Sequence, residues 1–318
     1  MTLSARSRRA TAASVAGLAL VLSGCGAGAS DDGSVSLGFV NGGDTEFHTC
    51  LQASIKETAE AKDAKLYTAN SHQNPGTELS NIEDMISRNV DALIVQTVNV
   101  DALKGDIAKA KSANIPIFLT SVVTDDPSDI LGAVVVDLKQ VGELDAGYVE
   151  KDAAGRAVEV GVIAGAPGAA SDLLVNGFTK ALPATAKVVA NQPGMFNAAK
   201  AQDVAENMIQ AHPDMKYAFV ANEEMAFGAL KAFTAAKADV KIVTVNGTDR
   251  GVAAVKDGRF AATVANSAMT TGKIAITNAI SLLGKKKTDK IAMTPISLIT
   301  ADNVNSAPQY CSAEEKKS

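Results

Sequence analysis

From Val35 onward, short runs rich in β-branched residues alternate with stretches of helical spacing, and they do so in two successive sets. No other feature restricts the fold as much. A strand followed by a crossover helix is the unit of a parallel sheet, and alternation at this spacing points to α/β architecture. In the first set, strands are expected at Val35–Val40, Lys65–Asn70, Ala92–Gln96 and Ile117–Leu119. Helices are expected at Phe47–Ala61, from Pro75 to near Arg88, and over Ala102–Ala113. Pro75 suits a first helical turn, where its missing N–H leaves no bond unmade. The nearly all-apolar Ala92–Gln96 is the composition of a strand covered on both faces.

The second set repeats the plan. Strands are expected at Ala157–Ala164, Lys187–Asn191, Tyr217–Ala221 and Lys241–Val245, with helices at Ser171–Leu182, Ala198–Ala211, Glu223–Ala236 and Thr248–Asp257. Two sets of similar size predict two lobes rather than one large sheet. About 285 residues follow Ser34, a length that ordinary domain sizes divide in two. Asp137–Lys139, Asn266–Ser267 and Thr294–Ile296 are the candidate crossings between lobes. They divide the chain into residues 34–137 with 267–295, and residues 138–266 with 296–318. Three crossings make a hinge, and hinge closure around a ligand is a known mode of domain motion.

The first 25 residues read as a targeting segment. Arg6, Arg8 and Arg9 precede an apolar stretch from Ala10 to Leu22 of about 13 residues, short of the ~20 that span a bilayer. Leu22-Ser23-Gly24-Cys25 matches a lipobox, in which the Cys becomes the acylated N-terminus. The Gly/Ala/Ser/Asp run from Gly26 to Gly33 has the composition of a tether. Arg8-Arg9 leaves twin-arginine export open, although no matching apolar motif follows and ordinary secretion is expected. The mature chain is therefore expected outside the cytoplasm, anchored to the cell membrane through Cys25.

Export leaves Cys50 and Cys311 in an oxidising space. A bridge between them is expected, with a buried Cys50 and a free tail thiol as the alternative. His48, His72 and His212 lack ligand spacing, so neither a metal nor another cofactor is expected. A net charge of −5 without a basic block argues against nucleic acid. Lys285-Lys286-Lys287 after Gly284 reads as a solvated helix end, where cations suit the dipole.

Ligands of open α/β sheets sit at the carboxyl ends of the strands. Those ends carry Asn41 to Phe47, Gln96 and Thr97, Thr120 and Ser121, Asn222 and Glu223, Asn246 to Thr248, and Asn266. A single Asn there is ordinarily a cap or turn residue. Amides at several strand ends of a two-lobed chain instead suggest one shared pocket.

Several segments resemble the type I periplasmic binding proteins, in particular the ribose-binding-like sugar branch serving ATP-binding-cassette (ABC) importers. They are Gln73-Asn74-Pro75, Asn81-Ile82-Glu83-Asp84, Asn114-Ile115-Pro116-Ile117, Asn176-Gly177-Phe178, the run Ala221 to Ala229, and Val245-Asn246-Gly247-Thr248. The resemblance is collinear from about Val35 to Thr300. It implies two Rossmann-like lobes, a three-segment hinge and a monosaccharide-sized ligand. The family's stacking aromatics fall on Phe47 and Phe196, and its polar contacts on Asp44, Gln96, Ser121, Asn222, Asn246 and Asn266. The implied partners are a small sugar or polyol and the permease and ATPase subunits of an importer, with the chain itself a monomer.

The departures from that pattern are informative. Ser121-Val122 stands where sugar-binding members carry Asp-Arg, Leu174 where an Arg is usual, and Asn246 where an Asp precedes Gly-Thr. Charged groups make the strongest hydrogen bonds to hydroxyls. A neutral pocket therefore points away from ribose, toward a tetritol or pentitol, with another monosaccharide as the rival. A signalling receptor using the same cleft is the alternative function. An enzyme is disfavoured, since no nucleophile–base pair, metal spacing or P-loop is visible. In such a pocket Asn222→Ala is expected to remove binding with little loss of fold stability.

Overall fold

The structure is a computed structural model and describes residues 34–311. The expected targeting segment and Cys25 lie outside the described residues. Two six-stranded sheets carry the fold. The first contains β1 (Ser36–Asn41), β2 (Lys65–Asn70), β3 (Ala92–Val95), β4 (Ile117–Ser121), β5 (Gly132–Val135) and β11 (Ile291–Met293), in the order β11-β5-β4-β3-β1-β2. The second contains β6 (Val158–Ala164), β7 (Ala186–Pro193), β8 (Met215–Val220), β9 (Lys241–Asn246), β10 (Ala262–Asn266) and β12 (Ile296–Ile299), in the order β12-β10-β9-β8-β6-β7. The two orders are the same once the strands are matched in sequence. Every pairing is parallel except β10 with β12, which is antiparallel and departs from the purely parallel expectation.

Alternation along the strands shows why both faces need cover. Phe39, Ile94 and Phe118 enter a core shared with Leu51 and Ile55, whereas Val40, Leu93, Val95 and Leu119 enter one shared with Ile82 and Leu103. Accordingly α1 (Glu46–Glu60) packs with α9 (Ala268–Leu283), and α2 (Pro75–Ser87) packs with α3 (Val100–Ser112). Around the second sheet α4 (Leu138–Ala153) packs with α5 (Ala169–Ala181), and α6 (Ala198–Ala211) with α7 (Glu223–Ala235). The short α8 (Asp249–Lys256) follows β9. Side-chain caps fix several strand-to-helix turns. Asn74 accepts from the Thr77 N–H at 3.0 Å, Asn222 from Met225 at 2.9 Å and Thr248 from Gly251 at 3.0 Å.

The chain passes between sheets after β5, after β10 and after β11. Those passages are cross-braced: Thr294 N–H donates to the Val135 carbonyl at 2.9 Å, and the Thr271 and Thr294 hydroxyls are 2.9 Å apart. A fourth passage follows β12, because the tail does not stay with the second lobe. Tyr310 is buried in the first lobe's core beside Cys50, its carbonyl accepts from Met269 N–H at 2.9 Å, and Cys50–Cys311 is a disulfide with Cα atoms 4.9 Å apart. The tail thus differs from its expected place with residues 138–266, since burying a large aromatic and closing the bridge both draw it back.

Candidate functional site: a neutral cleft between two sheet ends

The strand order places a topological switch point in each sheet, where β1 separates β2 from β3 and β6 separates β7 from β8. Crevices form at the carboxyl ends there. A cavity of about 420 Å³ lies at these ends and draws its wall from both lobes. The turn after β1 is close-packed at this point: a Cβ on Gly42 would come 2.7 Å from the Gln96 carbonyl oxygen at the end of β3.

Phe47, Gln96, Ser121, Phe196, Asn222, Asn246 and Asn266 all lie on this wall. Asp44 does not. It is exposed, and its carboxylate accepts from Asn70 Nδ2 at 2.7 Å and pairs with His72 Nδ1 at 2.7 Å. Neighbours from the adjacent strand end hold it there, a cross-strand effect that linear spacing does not reveal.

Several wall residues are held in unusual backbone conformations. Ser121 has φ 67°, Met195 59°, Phe196 51° and Asn246 136°. Non-glycine residues in this region cost roughly 1–3 kcal/mol each and persist where surrounding structure enforces them, often at ligand clamps. The Phe196 ring covers Gly165 so closely that any Cβ there would overlap it.

Hydrogen bonds set what each polar group offers. Gln96 Oε1 accepts from Thr120 Oγ1 at 2.6 Å and Ser121 Oγ at 3.0 Å, which leaves its NH₂ as the donor it presents. Asn222 Oδ1 is occupied by the cap of α7, and its Nδ2 lies 3.5 Å from Glu224 Oε2. Asn266 Oδ1 is buried without a hydrogen-bond partner, an acceptor available to a hydroxyl.

Two buried glutamates support the wall from behind. Glu223 accepts from Gly247 N–H and Thr248 N–H, each at 2.9 Å, and from Thr263 Oγ1 at 2.6 Å, fixing the loop that carries Asn246. Glu78 does the same in the first lobe, accepting from Thr97 Oγ1 at 2.7 Å and Val98 N–H at 2.6 Å. Burial pushes each carboxyl up to about 7, against the opposing pull of those donors.

The wall itself carries no Asp, Glu, Lys or Arg among its described residues. Its one ring nitrogen pair belongs to His48, which burial holds down to about 4 and which is therefore neutral near pH 7. Ser121, Val122, Leu174 and Asn246, the positions where the sequence departs from the charged pattern, all line the cavity. The wall also takes in Thr45, within the expected Asn41–Phe47 strand end, and, beyond the expected positions, His48, which shares a 2.7 Å contact with Thr45, and Leu138. Thr45 is the N-cap of α1, and His48 follows Phe47 in its first turn, one residue past the strand end. Leu138 belongs to a crossing, where no strand end draws attention.

A contact also joins the lobes across the cleft. Glu46 N–H, in the first turn of α1, donates to Glu224 Oε1, in the first turn of α7, at 2.9 Å.

Paired parallel sheets of identical strand order, opening onto one uncharged cleft, define a two-lobed solute-binding protein. The chain belongs to the periplasmic binding protein family: residues 37–287 match the family described as "Periplasmic binding protein domain". It is 30% identical over 259 residues to the ribose import binding protein RbsB of Bacillus subtilis, covering 80% of this chain and 83% of that one. It is 26% identical over 313 residues to the xylitol-binding protein of Mycolicibacterium smegmatis, covering 96% and 88%. The fold also matches a solved ABC transporter solute-binding protein from Mycobacterium smegmatis with bound glycerol, at TM-score 0.82 and 23% identity, over 88% of this chain and 99% of that one. The relatives are binding proteins of transporters, not enzymes, and their family is extracytoplasmic. Among the described residues no helix is long and apolar enough to cross a membrane.

Proposed function

We propose that this chain is the solute-binding component of an ABC importer and takes a small neutral tetritol, pentitol or monosaccharide into its cleft. The observation that carries the proposal is the wall: amides and hydroxyls from both lobes with no charged side chain among them. Amides donate and accept at once, and aromatic faces such as those of Phe47 and Phe196 suit the C–H faces of a polyol. The relatives that bind ribose and xylitol support the ligand class. Gln96, Ser121, Asn222, Asn246 and Asn266 hold the hydroxyls, and Cys25 anchors the chain to the cell membrane beside its permease and ATPase. Closure is driven by the ligand's greater affinity for the closed state.

Thermal-shift screening of the mature chain against polyols and aldoses tests the reading. A ligand at about 100 times its Kd adds roughly 2.7 kcal/mol, which for a chain of this size raises Tm by about 5 °C or more. A tetritol or pentitol should do so. Stabilisation by ribose alone would overturn the neutral-polyol reading.

A further inference from the structure

Part of the cleft wall is aliphatic side chain. Val122, Val136, Leu138 and Leu174 all line the cavity, and contacts of the segments that carry them bring them near one another. Val136 N–H donates to the Ser121 carbonyl at 3.0 Å, which sets Val136 beside the Ser121–Val122 turn. Val136 and Leu174 belong to one buried core, against which Leu138 packs. Leu174 is brought there by close helix contact, since a Cβ on Gly142 of α4 would overlap the Leu174 carbonyl.

Three backbone N–H groups beside these side chains are already bonded. Val122 N–H donates to the Thr120 carbonyl at 2.8 Å, and Leu138 N–H to the Val136 carbonyl at 2.8 Å. With the Val136 N–H also taken, none of these three donors remains for a ligand. Ser121 Oγ donates to Gln96 and keeps its lone pairs as acceptors for a ligand hydroxyl. Polar side chains of the wall outside these four aliphatic residues include Gln96 and Asn222, Asn246 and Asn266 at the ends of β8, β9 and β10, with Thr45, Thr97 and Ser171 beside them. The cleft is therefore two-sided, with amides along the strand ends and aliphatic carbon beside the crossing into α4.

From this arrangement we infer that the ligand, within the neutral polyol or monosaccharide class proposed above, carries a deoxygenated carbon at one end. A terminal methyl or methylene fills the Val122–Val136–Leu138–Leu174 patch while the remaining hydroxyls meet the amides. A hydroxyl at that end would be desolvated against carbon without a partner, which is unfavourable. This rests on the ligand class of the previous subsection and narrows it.

Calorimetry on the mature protein with matched pairs tests it. Suitable pairs are xylitol and 1-deoxyxylitol, ribitol and 1-deoxyribitol, and ribose and 5-deoxyribose. The deoxy member of at least one pair should bind about ten- to a hundredfold more tightly than its parent, the range over which an apolar pocket rejects one added hydroxyl. Val122→Thr or Leu174→Gln, each placing a polar group in the patch, should narrow that ratio severalfold; two variants guard against one failing to fold. Parents that bind as tightly as their deoxy analogues in every pair overturn the inference and leave the ligand class standing. Binding by no member of any pair, together with no thermal shift from any tetritol, pentitol or aldose in the screen above, overturns both. A deoxy preference left unchanged in both folded variants overturns the assignment of the patch.

Discussion

At the scale of single residues, Asn222 serves the fold and the cleft together. Its Oδ1 caps α7, so the expectation that Asn222→Ala would spare stability needs amendment. Loss of such a cap costs about 0.5–2 kcal/mol. Denaturant titration should show that loss in Asn222→Ala, whereas Asn222→Ser, which keeps a capping oxygen, should retain most stability while still losing ligand affinity. Gly165 separates the two roles differently. Because Phe196 lies directly over it, Gly165→Ala has to displace the ring. It should weaken binding by about tenfold or more in calorimetry, the effect expected when a clamping group is misplaced. Asp44 shows the limit of residue-level reading. It stands at a strand end as predicted, yet Asn70 and His72 claim its carboxylate, and neither is near it in sequence.

At the scale of elements, the first turns of α1 and α7 meet across the cleft through Glu46 and Glu224. A carboxylate at a helix N-terminus contributes about 0.3–1 kcal/mol. Removing it in Glu224→Ala should weaken ligand affinity by about two- to fivefold, chiefly through faster release, with the unfolding midpoint of the ligand-free protein little changed. Most strands and helices of the two repeated sets were legible in sequence because their hydrophobic periods are clear; α1, for example, was expected at Phe47–Ala61 and runs Glu46–Glu60. The elements beside the crossings were not. β5 and β12 have only four residues each, and β11 three, too few to show a period. Helix α4 contains Gly142 and Gly147, which read as poor helix formers. Gly142 is nonetheless required, because α4 and α5 meet backbone to backbone there and at Gly177 against Lys139. The cleft was legible on its amide side for the same reason that strand ends were, and illegible on its aliphatic side, where Val136 lies in no expected element and Leu138 lies in an expected crossing.

At the scale of the whole molecule, buried acids govern the response to pH. Burial lifts Glu78 and Glu223 to about 7 and Asp145 well above its ordinary value, and neither Asp145 oxygen has a hydrogen-bond partner. Between their unfolded values near 4.5 for Glu and 3.8 for Asp and these raised values, the folded chain holds protons that the unfolded chain has released. Stability from these groups is present below the unfolded values and is lost as pH rises toward 7. His48, lowered to about 4, acts oppositely and removes stability as pH falls from 6.5 toward 4. Burial raises Glu46 and Asp106 as well, so with five acids against one imidazole the unfolding free energy should decline from pH 5 to 7. Glu223→Gln should flatten that slope in denaturant titrations across the range. The disulfide belongs to this scale as well: its cysteines are 261 positions apart, and bridges closing long loops contribute about 2–5 kcal/mol. Cys311→Ser should lower the unfolding free energy by that amount, and reductant should then have no further effect.

The returning tail has a mechanical consequence for the closure proposed above. Ser267 Oγ donates to the Gln309 carbonyl at 2.6 Å, so the tail runs alongside the second crossing before it is riveted to the first lobe at Tyr310 and Cys311. Four spans side by side act as a strap hinge rather than a ball joint. In the proposed closure such a hinge should let the lobes swing in one plane and resist twist. Each closure should then bring the two outer rims to the same mutual attitude, so that a docking partner reading both rims would meet a single, repeatable shape.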